Sequence, residues 1–129
     1  MEAFLQNGGT LAFVGDAVMS LQVREYLVSK GYTQLKQLQQ LTVQYVSAKA
    51  QAAFSKTILD SLNEEEMEVF KRGRNFKSHS VAKNANVVDY RQATGLEALW
   101  GYWHLTGQTE RLNEMFERMI QYHLEGSNE

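Results

Sequence analysis

Not one proline interrupts this chain of 129 residues, and no stretch sustains the period-2 alternation of a half-buried strand. What recurs is apolar spacing of three and four residues, punctuated by glycines, the pattern of helices that stop and restart. Three glycines read as C′ residues, where left-handed backbone closes a helix. Gly31 follows a helix over Leu11–Lys30, Gly73 one over Glu64–Arg72, and Gly107 one over Gly95–Thr106. Asn63 with Glu66 reads as a capping box, with Glu64 and Glu65 favoured in the first turn by the helix dipole. A short helical turn near Thr33–Gln40 and a helix near Thr42–Leu59 fall between them. Thr109 caps a last helix through about Leu124. Asn75–Lys83 reads as a loop, and Asn84–Ala93 fits either state. With no repeat, low-complexity segment or linker, the expected architecture is one all-α domain over residues 1–129. It has five to seven helices and a polar tail from about residue 125.

An apolar content of 43% supports a core of this kind and argues against disorder. The absence of cysteine excludes disulfides and thiolate metal sites. The opening MEAFLQNGG lacks the apolar run of a signal peptide. No segment approaches the roughly 18 apolar residues of a membrane span. A cytoplasmic protein without membrane contact is expected.

Helical faces reveal the first chemical anomaly. Along Leu11–Lys30, Leu11, Val14, Val18 and Leu21 form one apolar stripe. Asp16 lies off it, but its neighbours at helical spacing are Ala12, Met19, Ser20, Val23 and Leu27, a second and mostly apolar face. A lone carboxylate in such surroundings needs a partner or a metal. Gly15 beside it costs helix propensity and lets another backbone come close. Gly95–Thr106 repeats the arrangement: Leu96, Leu99 and Trp103 point one way, while Glu97 shares another face with Thr94, Gly101 and His104. If the two small-residue faces meet, Asp16 and Glu97 converge.

Two carboxylates from different helices suit a hard cation such as Mg²⁺, which takes oxygen ligands and keeps several waters. Such a site can activate water and stabilise the leaving oxygen of a phosphodiester. The bland alternatives are an ion pair of Asp16 with Arg24, Arg91 or another cation, and a capping box of Thr94 with Glu97. The net charge of −2 argues mildly against a nucleic-acid partner, but its distribution does not. Between Val69 and Val88 there is no acid, and five cations stand there: Lys71, Arg72, Arg74, Lys77 and Lys83. The remainder holds 8 basic and 15 acidic residues. With Asn75, Phe76, Ser78 and His79 interleaved, the segment can contact phosphates and sugars. It can equally be a solvated loop at a helix C-terminus, where cations are favourable. His104 reads as packed or capping and His123 as exposed. Trp100, Tyr102 and Trp103 read as core or subunit-interface residues.

Leu11-Ala12-Phe13-Val14-Gly15-Asp16-Ala17-Val18 resembles the signature of ribonuclease III catalytic domains, approximately L-E-F-L-G-D-[SA]-V. Glu97-Ala98-Leu99-Trp100-Gly101 resembles that family's second block, D-x-x-E-A-L-x-G. Order, separation and helical context agree from about Gly9 to Leu124. Two positions depart: Ala12 and Thr94 stand where the family has carboxylates. With no room for an appended double-stranded-RNA-binding domain, the chain looks like the Mini-ribonuclease III branch, which matures the large-subunit ribosomal RNA precursor. Tyr45-Val46-Ser47-Ala48-Lys49-Ala50-Gln51 and Arg72-Gly73-Arg74-Asn75 also look like that branch.

The resemblance implies a ribonuclease III-like helical fold and a homodimer whose valley holds duplex RNA, with two sites each cutting one strand. It implies Asp16 and Glu97 as catalytic, metal-binding carboxylates for Mg²⁺, with Mn²⁺ an acceptable substitute. Lys71, Arg72, Arg74, Asn75, Lys77, His79, Lys83 and Arg91 are the expected RNA contacts, recognising duplex shape more than base identity. The rival expectation is a non-catalytic RNA-binding or ribosome-assembly module, for which Ala12 and Thr94 speak.

Overall fold

From Val87 to Leu105 the chain forms one helix of 19 residues that is buried on nearly every side. Gly95, Leu96, Ala98, Leu99, Trp100, Gly101, Tyr102 and Trp103 along it are all covered. The remaining helices are arranged to cover it. In this computed structural model, which describes residues 7–77 and 86–127, the order is α1 (Gly8–Ser29), α2 (Leu35–Val46), α3 (Ala48–Ile58), a 3₁₀ turn (Leu59–Ser61), α4 (Glu64–Arg74), α5 (Val87–Leu105) and α6 (Thr109–Ser127). Helices α1, α3 and α4 pack directly on α5, with α6 across its end. Among the described residues there is no strand, and no helix is long and apolar enough to cross a membrane. The all-α expectation therefore holds.

Several boundaries differ from the expected ones. Helix α1 begins at Gly8 and not at Leu11, because Asn7 caps it by accepting from the Thr10 amide at 3.1 Å. The stretch 33–59 divides at Ser47 and not near Leu41. Ser47 is extended, and its hydroxyl accepts from the Ala50 amide, so it opens α3 as an N-cap. Gly73 is not a C′ residue: α4 continues to Arg74 and Asn75 caps it. The glycine is buried, and a Cβ there would meet the Thr94 carbonyl oxygen at 2.8 Å and the Gly95 Cα at 2.9 Å. It serves close helix packing and not a turn. Helix α5 starts eight residues before Gly95, with Asn86 accepting from the amides of Val88 and Asp89. Helix α6 begins at Thr109 as expected and runs past Leu124 to Ser127. Gly31 and Gly107 do have the left-handed backbone that the pattern required, with φ of 99° and 72°.

The face that α1 presents to the core also differs from the expected stripe. Leu11, Ala12, Gly15, Met19, Val23 and Leu27 are buried, while Leu21 is 59% exposed. Helix α1 is apolar over much of its circumference, so hydrophobic count alone does not choose its inner side. The choice is made by Gly15, where α5 can approach most closely. The Asn63–Glu66 capping box is present as expected, and Glu66 does more than cap. Its buried carboxylate accepts from Trp103 Nε1 at 2.8 Å and from two Arg111 nitrogens at 2.9 Å. Burial opposes its ionisation, but Arg111, the Asn63 amide and Trp103 together hold its carboxyl below the usual range. This is a satisfied structural charge joining α4, α5 and α6. Trp100, Tyr102 and Trp103 are core residues of the single chain. His104 is exposed and His123 is half-buried, its ring 4.0 Å from that of Tyr45, the reverse of both histidine expectations.

Candidate active site

Two glycines bring the expected carboxylates together. A Cβ on Gly15 would run into the backbone carbonyl of Glu97, and one on Gly101 would run into the carbonyl of Leu11. Helices α1 and α5 therefore touch backbone to backbone. Asp16 follows Gly15 directly, and Glu97 supplies the carbonyl on which Gly15 rests. Their carboxyl groups are close enough for the Asp16 charge to act on Glu97.

The pair is electrostatically unbalanced. Burial pushes the Glu97 carboxyl up to about 8; the hydrogen bond from Gln51 pulls it down, and the adjacent Asp16 charge adds to the rise. Among the described residues the ion pairs are those of Glu66, Glu68 and Glu114, and neither Asp16 nor Glu97 takes part. The proposed pairing of Asp16 with Arg24 or Arg91 is thus not what the fold builds. The capping alternative for Glu97 fails as well. Thr94 lies within α5, and its hydroxyl donates to the Tyr90 carbonyl at 2.9 Å. Among the described residues no cation pairs with either carboxylate, and two neighbouring acids without one fit a divalent ion. Ala12 and Thr94 are both buried and supply no ligand. Among the described residues no cluster of three or more acids, histidines or cysteines surrounds the pair. Among the described residues an ion there would have these two carboxylates as its protein ligands, with water left to complete its shell.

The basic segment starts where α4 crosses the beginning of α1. Gly8 packs on the Arg72 carbonyl, and Gly9 lies under the Phe76 ring. Asp16 is eight residues further along α1, about 12 Å away along the helix axis. Lys71, Arg72, Asn75 and Lys77 are exposed, and Arg74 is half-buried. Arg72 reaches Glu68 on its own helix at 3.5 Å, and Arg74 Nε donates to Asn75 Oδ1 at 3.4 Å. Arg91 is exposed near the start of α5. His79 and Lys83 lie outside the described residues.

Sequence reasoning missed Gln51. It is 2% exposed on α3, and its Nε2 donates to Glu97 Oε2 at 3.2 Å and to the Val46 carbonyl at 2.9 Å. The signal was the one that singled out Asp16: a polar residue in an apolar stripe, here with Phe54, Ser55 and Ile58. It also sits at the end of the Tyr45–Gln51 stretch already noted.

The family model described as Ribonuclease III domain matches residues 9–108. The chain is 51% identical over 117 residues to Mini-ribonuclease 3 of Enterococcus faecalis, covering 89% of each chain. It is 50% identical over 119 residues to Mini-ribonuclease 3 of Streptococcus pneumoniae, covering 91% of this chain and 93% of that one. An X-ray crystal structure of a Fusobacterium nucleatum protein superposes with a TM-score of 0.81 at 32% identity, over 89% of this chain and 92% of that one.

Proposed function

Because the chain belongs to the ribonuclease III family, in its Mini-ribonuclease 3 branch, we propose that Asp16 and Glu97 hold Mg²⁺ for cleavage of duplex RNA, with Mn²⁺ able to replace it. The protein is an endoribonuclease of the type that acts on double-stranded RNA. The observation that carries the metal assignment is the uncompensated pair itself, two acids from two helices held together by the Gly15 and Gly101 contacts. A divalent ion bound there supplies Lewis-acid stabilisation of charge at the scissile phosphate and an acidified water. The chain's own residues supply the rest. Asp16 presents its carboxylate at the surface, where a phosphate can approach. Glu97 is half-buried and held by Gln51, so its carboxylate does not need to be ordered when substrate arrives. Lys71, Arg72, Arg74, Asn75 and Lys77 at the end of α4, with His79, Lys83 and Arg91, grip the backbone and set the register of the duplex.

The same reading takes the protein to be a homodimer acting in the cytoplasm on a ribosomal RNA precursor, the large-subunit precursor suggested by its likeness to the branch. Support for the dimer lies on the outer side of α1. Phe13 is 80% exposed and Leu21 59%, with Ala17 exposed and Val14 and Val18 half-buried between them. A second copy related by a two-fold axis would cover this apolar strip. Asp16 borders it, so the two sites would lie near the interface, placed to act on opposite strands. The test is a cleavage assay on a duplex and on its separated strands. The duplex should be cut with Mg²⁺ and left intact with chelator, and the single strands should be poor substrates. Duplex binding without cleavage at any Mg²⁺ or Mn²⁺ concentration would contradict the reading.

A further inference from the structure

Gln51 is pinned by its nitrogen and by nothing else. The Val46 carbonyl oxygen can only accept, so the NH₂ must face it, and the same nitrogen reaches Glu97 Oε2. The two distances are 2.9 and 3.2 Å, and turning the amide oxygen toward Val46 would face acceptor against acceptor. The consequence is Gln51 Oε1, buried and, among the described residues, the side-chain polar atom left without a partner. A buried acceptor left bare costs free energy. An apolar side chain would fill the same stripe beside Phe54 and Ile58 without that cost. Packing alone therefore does not account for a glutamine here.

Both anchors of the amide are rigid. Val46 is the last residue of α2, immediately before the extended Ser47, so its carbonyl is fixed by the helix break. The Gln51 backbone N–H donates to the Ser47 carbonyl at 2.9 Å, which fixes the start of α3. The side chain thus transmits the position of the α2–α3 corner to one oxygen of Glu97 on α5. The other oxygen is not engaged by Gln51.

We propose that Gln51 is a positioning residue for the cation site: it ties Glu97 Oε2 so that the carboxylate is already oriented toward Asp16 when a divalent ion arrives. This rests on the reading that Asp16 and Glu97 hold the ion. It gives a chain lacking the carboxylates at Ala12 and Thr94 a way to retain an ion on two protein ligands, since neither needs to be ordered on binding. Groups one step removed from a metal typically change its affinity by about 10- to 100-fold when removed.

The experiment uses the intact protein and Mn²⁺ alone, followed by loss of the free-ion electron paramagnetic resonance signal. Wild type, Gln51→Met and Asp16→Asn are compared, with melting temperatures alongside. Gln51→Met keeps length and burial but has no NH₂ donor. The expected result is a folded protein melting within a few degrees of wild type, with Mn²⁺ affinity weakened about tenfold or more. Its cleavage should need more cation, yet recover most of the rate at saturation. A role in packing alone would not move that split. If Gln51→Met fails to fold, Gln51→Ala, in a helix already rich in alanine, takes the same measurements. Wild-type Mn²⁺ affinity in a folded Gln51 variant overturns the inference alone. Wild type binding no Mn²⁺ that Asp16→Asn loses overturns the metal reading and this inference with it.

Discussion

Glu97 keeps its proton far longer in the folded chain than in the unfolded one, and that difference has a thermodynamic consequence. An unfolded glutamate ionises near its ordinary value of 4.5, whereas burial and the Asp16 charge raise the folded group to about 8. Between those values the folded state binds the extra proton. Its stability contribution is full below about 4.5 and is lost as pH rises through about 8. Metal-free protein should therefore melt progressively lower across that window. Glu97→Gln should flatten the slope and melt higher than wild type at the alkaline end. Adding Mg²⁺ to wild type should recover the loss, because the ion binds the ionised folded state. Melting curves at several pH values, with and without Mg²⁺, check all three; a wild-type slope unchanged in Glu97→Gln would assign the effect elsewhere. At this scale the sequence was informative wherever a polar residue interrupted an apolar face. Asp16 was found that way, and Gln51 could have been. Glu97 was ambiguous because Thr94-x-x-Glu97 has the spacing of a capping box. Whether that spacing caps depends on where the helix starts, and Asn86 starts it earlier.

Helix α5 shows how a glycine misleads when it is taken as punctuation. Gly95 and Gly73 have the sequence setting of helix boundaries, yet both lie within helices and face each other across the α4–α5 contact. Sequence alone does not separate a glycine that ends a helix from one that admits a neighbour; the difference lies in what packs against it. Gly31 and Gly107, with nothing nearby to admit, are the two that end helices in left-handed backbone. The distinction can be tested through Gly15 and Gly101. Alanine normally favours a helix over glycine by about 1 kcal/mol. At these two positions the added carbon meets the carbonyl of Glu97 or of Leu11, so the helices must separate. Gly15→Ala and Gly101→Ala should each destabilise the protein by about 1–3 kcal/mol, as overpacking does. They should also reduce cleavage more than duplex binding, because they shift Asp16 relative to Glu97. Gly126→Ala, which meets nothing on α6, should leave both unchanged. Denaturant titration with parallel cleavage and binding assays checks the contrast.

Considered as a whole, the molecule has its largest aromatic residues where they cannot serve a partner. Trp100 and Trp103 are fully buried, their indole nitrogens donating to Gln22 and Glu66. The sequence made the all-α class readable through its helical spacing, and the motif blocks identified the family. It did not show which apolar residues of α1 the core leaves uncovered, because α1 has more apolar surface than one core can use. That surplus is Phe13, Ala17 and Leu21 on the outer side of α1. Sedimentation at micromolar concentration should give twice the 14.8 kDa chain mass, and Phe13→Asp should shift the protein toward monomer with a large loss of cleavage. A wild-type monomer that still cuts both strands efficiently would remove the two-site arrangement. Asp16→Asn probes the carboxylate pair with least disturbance. The substitution keeps size and fold, removes one negative charge, and leaves no carboxylate at Ala12 or Thr94 to compensate. The decisive measurement is the single-turnover rate of duplex RNA cleavage by Asp16→Asn in saturating Mg²⁺, with duplex affinity measured on the same sample. The expected result is wild-type binding with the rate reduced to about a hundredth or less. A folded Asp16→Asn protein that cuts duplex RNA at close to the wild-type rate would contradict it.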